Sequence, residues 1–339
     1  MGNQFNRYSR QMLFAPIGEK GQAKLMESTV LIIGMGALGT NAASQLVRAG
    51  VGHVRFADRD YVEMSNLQRQ MLFDEEDVSA VLPKAVAAER KLKKVNRDVK
   101  VEGIVTDVTA ENIEELLQDV DLVVDGTDNF ATRFLINDAC FKHGIPYVYG
   151  GAVSSRGMSA LFIPGRTICL RCLIKEDTGS GETCDTVGVI TPVVDMVVSY
   201  QIAEAMKYLV GDHDHLRNSL ISIDVWHNRI HEFALSNVKR HCSVCDKHEY
   251  PALSPKRDDL ITSLCGRETV QIKANKAVSL EEWAGRLEKV AEVKRTPFLL
   301  RVQLQEGERL VLFPDGRTLV QGTEDVSRAK TLYARYIGL

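Results

Sequence analysis

The chain has 339 residues, 45% hydrophobic and 26% charged, enough for one large domain and a smaller one with no need of a disulfide staple. A formal net charge of −3 argues against a nucleic-acid binder. Residues 1–12 lack the apolar core of a signal peptide, Asn6 stands where a myristoylation motif needs Ser or Thr, and the longest apolar stretch, Val187 to Val210, carries Asp195, Glu204 and Lys207, so a cytoplasmic protein without a membrane span is expected.

Val30 to Ile33 is a short β-branched run leading into Gly34-Met35-Gly36-Ala37-Leu38-Gly39. An Ala-rich helix to Ala49 follows, closed by Gly50 and Gly52, and Val54 to Asp58 reads as a second strand ending in an acid. Pro83 opens a helix to about Val95, since proline suits a first helical turn. Strands at Val99–Val105, Leu122–Asp125 and Tyr147–Tyr149 alternate with helices at Glu111–Leu117 and Phe130–His143. This order predicts an α/β fold: a Rossmann-like, doubly wound, mostly parallel sheet with helices on both faces. After Gly151 the pattern changes to antiparallel strands at Ser159–Ile163, Leu220–Val225 and Arg229–Leu235, with a polar segment at Glu176–Glu182. Val194, Val198, Ile202, Ala205 and Leu209 recur at helical spacing and read as a buried face. A boundary is expected at Tyr250 to Pro255, dividing residues 1–250 from a small α+β unit over 256–339. There Trp283, Leu287 and Val290 suggest an amphipathic helix, and Leu299–Leu304 and Leu310–Phe313 alternate before a Pro314-Asp315-Gly316 turn.

Gly34-x-Gly36-x-x-Gly39 after a strand lets the backbone approach phosphate at a helix start, and Asp58 is spaced to bind ribose hydroxyls. The motif fits NAD, FAD or ATP alike. Ser65-Asn66-Leu67-Gln68-Arg69-Gln70, Lys84 and Thr127-Asp128-Asn129 then follow at strand ends that share one edge of a doubly wound sheet. Arg69 and Lys84 suit a triphosphate, and Asp128 offers the hard oxygen that Mg²⁺ prefers. The plainer readings are a surface ion pair for Arg69 and helix-start decoration for Lys84. Asp125 reads as a strand end and is not placed in the catalytic set.

Taken in order, Arg7-Tyr8-Ser9-Arg10-Gln11, the glycine turn, Asp58-x-Asp60, Ser65 to Gln70, Pro83-Lys84 and Thr127-Asp128-Asn129 resemble the ThiF/MoeB/HesA family, relatives of the ubiquitin E1 adenylation domain. The match runs from about Asn6 to Cys245. The resemblance implies an ATP-binding half over about 1–150 and a carrier-binding, zinc-bearing half over about 151–250. It puts Gly36 and Ala37 against the phosphates, Asp58 on the ribose, and Asn66, Arg69 and Lys84 on the phosphates, with Gly34, Gly39, Asp60, Gln70 and Asn129 also in the nucleotide site. Asp128 would hold Mg²⁺. Arg10 would reach the partner subunit's ATP site, making a homodimer part of the chemistry. Many members have Gly where this chain has Ala37. The implied reaction is Mg²⁺-dependent adenylation of the C-terminal glycine of a ubiquitin-like sulfur carrier, ThiS-like or alternatively MoaD-like. Residues 255–339 contain no recognisable rhodanese loop, so sulfur would come from a separate donor such as a cysteine desulfurase.

Cys169-x-x-Cys172 and Cys242-x-x-Cys245 are separated by 69 residues, a gap longer than a zinc ribbon's. Four thiolates suit structural Zn²⁺, and a redox pair is the alternative. The resemblance matches these positions to the family's zinc cysteines. It also matches Cys184 to a cysteine that some relatives link covalently to the carrier, beside the neutral reading of a bystander thiol. Cys140 reads as core, the sequence names no partner for Cys265, and His227 and His231 fall in strand structure where i, i+4 spacing has no meaning. Three other readings compete: an NAD- or FAD-dependent oxidoreductase, a silent E1-like scaffold, and an enzyme that adenylates and cyclises a modified tRNA base. The first leaves Arg10, Arg69, Lys84, Asp128 and four cysteines without a task.

Overall fold

The structure, a computed structural model, describes residues 5–174, 187–235, 242–254, 261–264, 268–274 and 277–338. The chain divides into two compact units, Met1–Pro255 and Lys256–Leu339. The Glu176–Glu182 segment, Cys184 and Cys265 lie outside the described residues.

In the first unit, strands β1 (Thr29–Ile33), β2 (His53–Asp58), β3 (Lys100–Val105), β4 (Leu122–Asp125), β5 (Tyr147–Val153), β6 (Arg156–Phe162), β7 (Ser219–Asp224) and β8 (Arg229–Ala234) form one sheet in the order β3-β2-β1-β4-β5-β6-β7-β8. β1 is parallel to both neighbours, with Ile33 opposite Ala57 on one side and Asp125 on the other. Its run Val30-Leu31-Ile32-Ile33 is buried throughout, because helices cover both faces and no alternation is required. The right-handed crossover rule sets the helices Ala37–Ala49 and Lys84–Val95 on one face and Phe130–His143 on the other. The Thr191–Val210 helix packs against the Ala37–Ala49 helix. Leu31, Ile33, Val123, Ile136, Ala139, Tyr147 and Phe162 make one continuous core beneath the Phe130–His143 helix, each large side chain contributing about 1.5–3 kcal/mol by leaving water.

The topology places the chemistry. β1 to β5 run in parallel, so their C-terminal ends share one edge. β6, β7 and β8 then alternate in direction. β6 and β8 therefore end at the opposite edge, and each is the strand that precedes a C-x-x-C pair.

The second unit is a wholly antiparallel sheet of β9 (Ile261–Leu264), β10 (Thr269–Lys273), β11 (Glu292–Arg295), β12 (Leu300–Gln303), β13 (Arg309–Leu312) and β14 (Arg317–Gln321), ordered β11-β12-β13-β14-β10-β9. Val270, Ile272, Leu300, Val302, Leu310, Leu312 and Val320 face the helices Leu280–Leu287 and Val326–Tyr336. The expected amphipathic helix needs one correction. It stops at Leu287, and Val290 is exposed in the turn that follows, where its amide donates to the Leu287 carbonyl. Only Trp283 and Leu287 of the three expected positions belong to the helix.

Candidate nucleotide site and four-cysteine centre

The glycine turn is shaped by backbone contacts that exclude side chains. Gly34 has φ +91°, and a Cβ there would lie 2.7 Å from the Gly126 carbonyl oxygen; one on Gly39 would lie 1.8 Å from the Gly34 oxygen. Gly36 differs, since a Cβ there would meet nothing closer than 3.8 Å. Gly36 caps the Ala37–Ala49 helix without a side chain, leaving the first N–H groups open to an anion.

Asp58 ends β2 and is buried. Its Oδ2 accepts from the Met35 amide at 2.6 Å and its Oδ1 from the Asp60 amide at 2.7 Å, which ties the second strand to the glycine turn. Burial raises its pKa above the ordinary 3.8, and the Lys84 ammonium is the foremost force in the other direction. Lys84 is itself buried, with Nζ 3.2 Å from Asp60 Oδ2, and its amide donates to the Asp60 carbonyl. Pro83 caps this helix and bridges to Tyr61, so the Asp58–Tyr61 and Pro83–Lys84 segments are held side by side.

Met64–Asn66 forms a single 3-10 turn. The Asn66 side chain accepts from the Glu63 amide, and the Asn66 carbonyl accepts from the Gln70 amide. Arg69 donates to the Ser65 carbonyl at 3.0 Å and has no carboxylate partner among the described residues. Gln70 is buried, and its Oε1 has no hydrogen-bond partner among the described residues. A buried orphan acceptor costs about 1–3 kcal/mol until something supplies a donor, and the Gln70 Nε2 lies 4.0 Å from the position a Gly36 Cβ would take. Gln68 and Thr191 exchange two hydrogen bonds, at 3.2 and 3.0 Å, pinning this segment to the start of the Thr191–Val210 helix.

At the end of β4, Asp128 is exposed and Asn129 caps the Phe130–His143 helix, accepting from the Thr132 amide at 2.9 Å. Behind them lies a buried network that sequence reasoning missed. Asp125 accepts from the Thr127 amide and hydroxyl, from Arg133 Nε at 3.2 Å and from the Tyr147 hydroxyl at 2.8 Å. Arg10 is exposed on the Ser9–Met12 helix and makes no hydrogen bond or ion pair among the described residues. Gly34, Gly36, Ala37, Asp58, Asp60 and Asp128 thus sit on or just beyond the ends of β1, β2 and β4. Lys84 joins them through Asp60, and Gln70 through Gly36.

At the other edge the sulfurs of Cys169, Cys172, Cys242 and Cys245 all lie within 4.8 Å of one another. Separations of 3.9, 3.6 and 3.7 Å link Cys169 to Cys172, Cys169 to Cys242 and Cys172 to Cys245. A tetrahedron of thiolates about 2.3 Å from Zn²⁺ has edges of about 3.8 Å, so the four residues fit a structural zinc site. The centre is anchored to the far half of the Phe130–His143 helix. Asn137 accepts from the Leu170 amide, and Asp138 binds Arg171 at 2.7 and 2.9 Å and the Ala252 amide at 2.9 Å. Cys140 is buried in the core, and burial pushes its thiol pKa up. Among the described residues no helix is long and apolar enough to cross a membrane.

The sequence profile of the ThiF family matches residues 8–244. Over 336 residues the chain is 48% identical to a Bacillus subtilis (strain 168) protein named sulfur carrier protein ThiS adenylyltransferase, covering 98% of this chain and 99% of that one. An Escherichia coli (strain K12) protein of the same name is 41% identical over 208 residues, 61% of this chain and 82% of that one. The crystal structure of E. coli MccB with ATP matches with a TM-score of 0.61 at 27% identity, over 71% of this chain and 74% of that one. The profile ends before the second unit, whereas the B. subtilis match extends across it.

Proposed function

The chain belongs to the ThiF family, and on that premise we propose that it uses Mg²⁺-ATP to adenylate the C-terminal glycine of a ThiS-like, ubiquitin-like sulfur carrier. A carboxylate oxygen of the carrier attacks the α-phosphorus. The bond to the β-phosphate breaks, pyrophosphate leaves with the electron pair, and an acyl-adenylate remains.

Both reactants are anions, so the protein's work is to suppress repulsion and hold them in line. The open helix start at Gly36 and Ala37 receives phosphate oxygens, with Gly34 and Gly39 shaping the turn. Arg69, lacking a carboxylate partner among the described residues, contributes positive charge. Lys84 contributes more while keeping Asp60 and Asp58 compatible with each other. Asp58 accepts from the ribose, and Asn66, Gln70 and Asn129 line the nucleotide's approach. Mg²⁺, when bound, neutralises phosphate charge, and Asp128 would hold it. Arg10 would complete the partner's site in a homodimer, which agrees with its exposure.

Cys169, Cys172, Cys242 and Cys245 would hold Zn²⁺ structurally, since they lie at the edge away from the nucleotide. The half over about 151–250 would receive the carrier. The Cys184 thiol would lose its proton and displace AMP from the acyl-adenylate, leaving a thioester link to the carrier; a separate donor such as a cysteine desulfurase would supply sulfur, and the reaction would run in the cytoplasm. What most supports this reading is the gathering of Asp58, Lys84, Asp60 and the unpartnered Gln70 acceptor around an open helix start.

The test is ATP–pyrophosphate exchange with and without a ThiS-type carrier ending in Gly-Gly. Carrier-dependent exchange, abolished in a folded Asp128→Ala protein, is expected. A preference for a MoaD-type carrier would redirect the reading to molybdopterin synthesis. Tight binding of nicotinamide or flavin with no exchange on any carrier would refute it.

A further inference from the structure

Resting on the adenylation reading above, we infer that Arg133 is a positioning residue, which holds the Thr127–Asp128–Asn129 turn in the shape that presents Asp128 to the nucleotide.

Arg133 is the fourth residue of the Phe130–His143 helix, yet it is buried rather than solvated. Its guanidinium serves three elements at once. Nε donates to Asp125 Oδ2 at the end of β4, and Nη2 donates to the Thr127 carbonyl at 2.8 Å and to the Gly150 carbonyl of β5 at 3.0 Å. The rings of Phe130 and Tyr149 lie 5.1 and 5.2 Å from it. Asp125 completes the clamp by accepting the Thr127 amide at 2.8 Å and the Thr127 hydroxyl at 2.7 Å, and Gln201 donates to the Asp125 carbonyl. The amide, hydroxyl and carbonyl of Thr127 are all engaged within this network, and the next residue is Asp128.

An apolar cluster of similar volume would join helix to sheet at least as well as a buried ion pair. The ionic arrangement is therefore explained by what it fixes rather than by the stability it adds. Its geometry also needs arginine. A planar fork reaches one carboxylate and two carbonyls together, whereas a lysine ammonium would keep the charge opposite Asp125 and lose that simultaneous reach. Burial lowers the Arg133 pKa, the Asp125 carboxylate raises it, and Asp128 adds to that rise. The exposed acid is thus within electrostatic reach of the buried cation.

Arg133→Lys and Tyr147→Phe test this. Tyr147→Phe removes only one hydroxyl donor to Asp125 and keeps the ring against Phe162. Two measurements are made on each: steady-state exchange, and Mn²⁺ binding to the complex with the non-reacting analogue AMPCPP, followed by electron paramagnetic resonance. For Arg133→Lys, kcat should fall roughly 10- to 100-fold with KM for ATP changed by less than about 3-fold, the pattern of lost alignment rather than lost binding. Mn²⁺ affinity should weaken about 10-fold, and Tyr147→Phe should move both in the same direction by less. If Arg133→Lys does not fold, Tyr147→Phe decides. Folded variants with unaltered kcat and unaltered Mn²⁺ affinity would overturn the positioning role and leave the adenylation reading standing. Absence of carrier-dependent exchange in the unsubstituted enzyme would remove both.

Discussion

Removing metal from the four-cysteine centre should cost the first unit thermal stability while sparing nucleotide binding. A Zn²⁺ bound there would join Cys169 and Cys172 to Cys242 and Cys245 across 69 intervening residues. Treated as a cross-link closing a loop of about 70 residues, it withholds about 4 kcal/mol of conformational freedom from the unfolded chain. At about 2–4 °C per kcal/mol for a domain of this size, the unfolding midpoint should drop by about 8–16 °C. The perturbations are chelation under mild denaturant and the double substitution Cys242→Ser/Cys245→Ser. The assay pairs scanning calorimetry with metal analysis, expecting about one zinc per chain before treatment. ATP affinity at 25 °C should change by less than about 2-fold, because the centre lies at the strand edge opposite the glycine turn. Metal-free protein melting within about 2 °C of the untreated sample would refute the cross-link argument. A large loss of ATP affinity would refute the separation of the two sites.

Other consequences are as direct. Mixing Arg10→Ala and Asp128→Ala subunits should restore one working site per heterodimer if Arg10 acts across the interface, and no recovery in verified heterodimers would exclude that. ATP affinity should fall with acidification from a pH above the ordinary Asp58 value of 3.8. Burial raises that pKa, and protonation would remove the acceptor proposed for the ribose. Lys84→Met should move the midpoint of this loss to still higher pH, because it removes the main charge holding Asp58 ionised; an unchanged midpoint would dissociate Lys84 from Asp58. Gly39→Ala should weaken ATP binding at least about 10-fold or prevent folding, since its methyl would overlap the Gly34 oxygen. Binding within about 2-fold of the unsubstituted protein would show that the turn relaxes cheaply.

The parallel half of the fold was legible because each strand is a short apolar run and each helix starts or stops on a strong local signal: Gly50 in the left-handed region, Pro83 at a cap, Asn129 accepting from Thr132. The glycine turn and its acid were legible for the same reason, being close in sequence. The Asp125–Arg133–Tyr147 network was not. Its members lie on a strand, a helix and another strand, and Arg133 at a helix start looks like any solvated cation until the fold buries it. Asp125 reads locally as a strand end, yet it is the centre of that network. Gln68 and Thr191 meet across 123 residues, beyond any local pattern. In the second unit, β11 and β14 were hidden by charges, Glu292, Lys294 and Arg295 in one and a buried Arg317 in the other. The final helix carries a local signal of its own: Asp325 as a cap, followed by Ala329, Leu332 and Tyr333 at helical spacing.

The contact among Gly34, Gly39 and Gly126 has a thermodynamic corollary. With bare backbone against bare backbone and no side chain between, the loop has nowhere to collapse when empty. If the turn receives the nucleotide as proposed, close backbone packing would fix its shape on folding, and little affinity would be lost to ordering it. Discrimination among nucleotides would then fall to the groups around the rim, and substitutions there should alter which ligand is accepted more readily than whether the cradle exists.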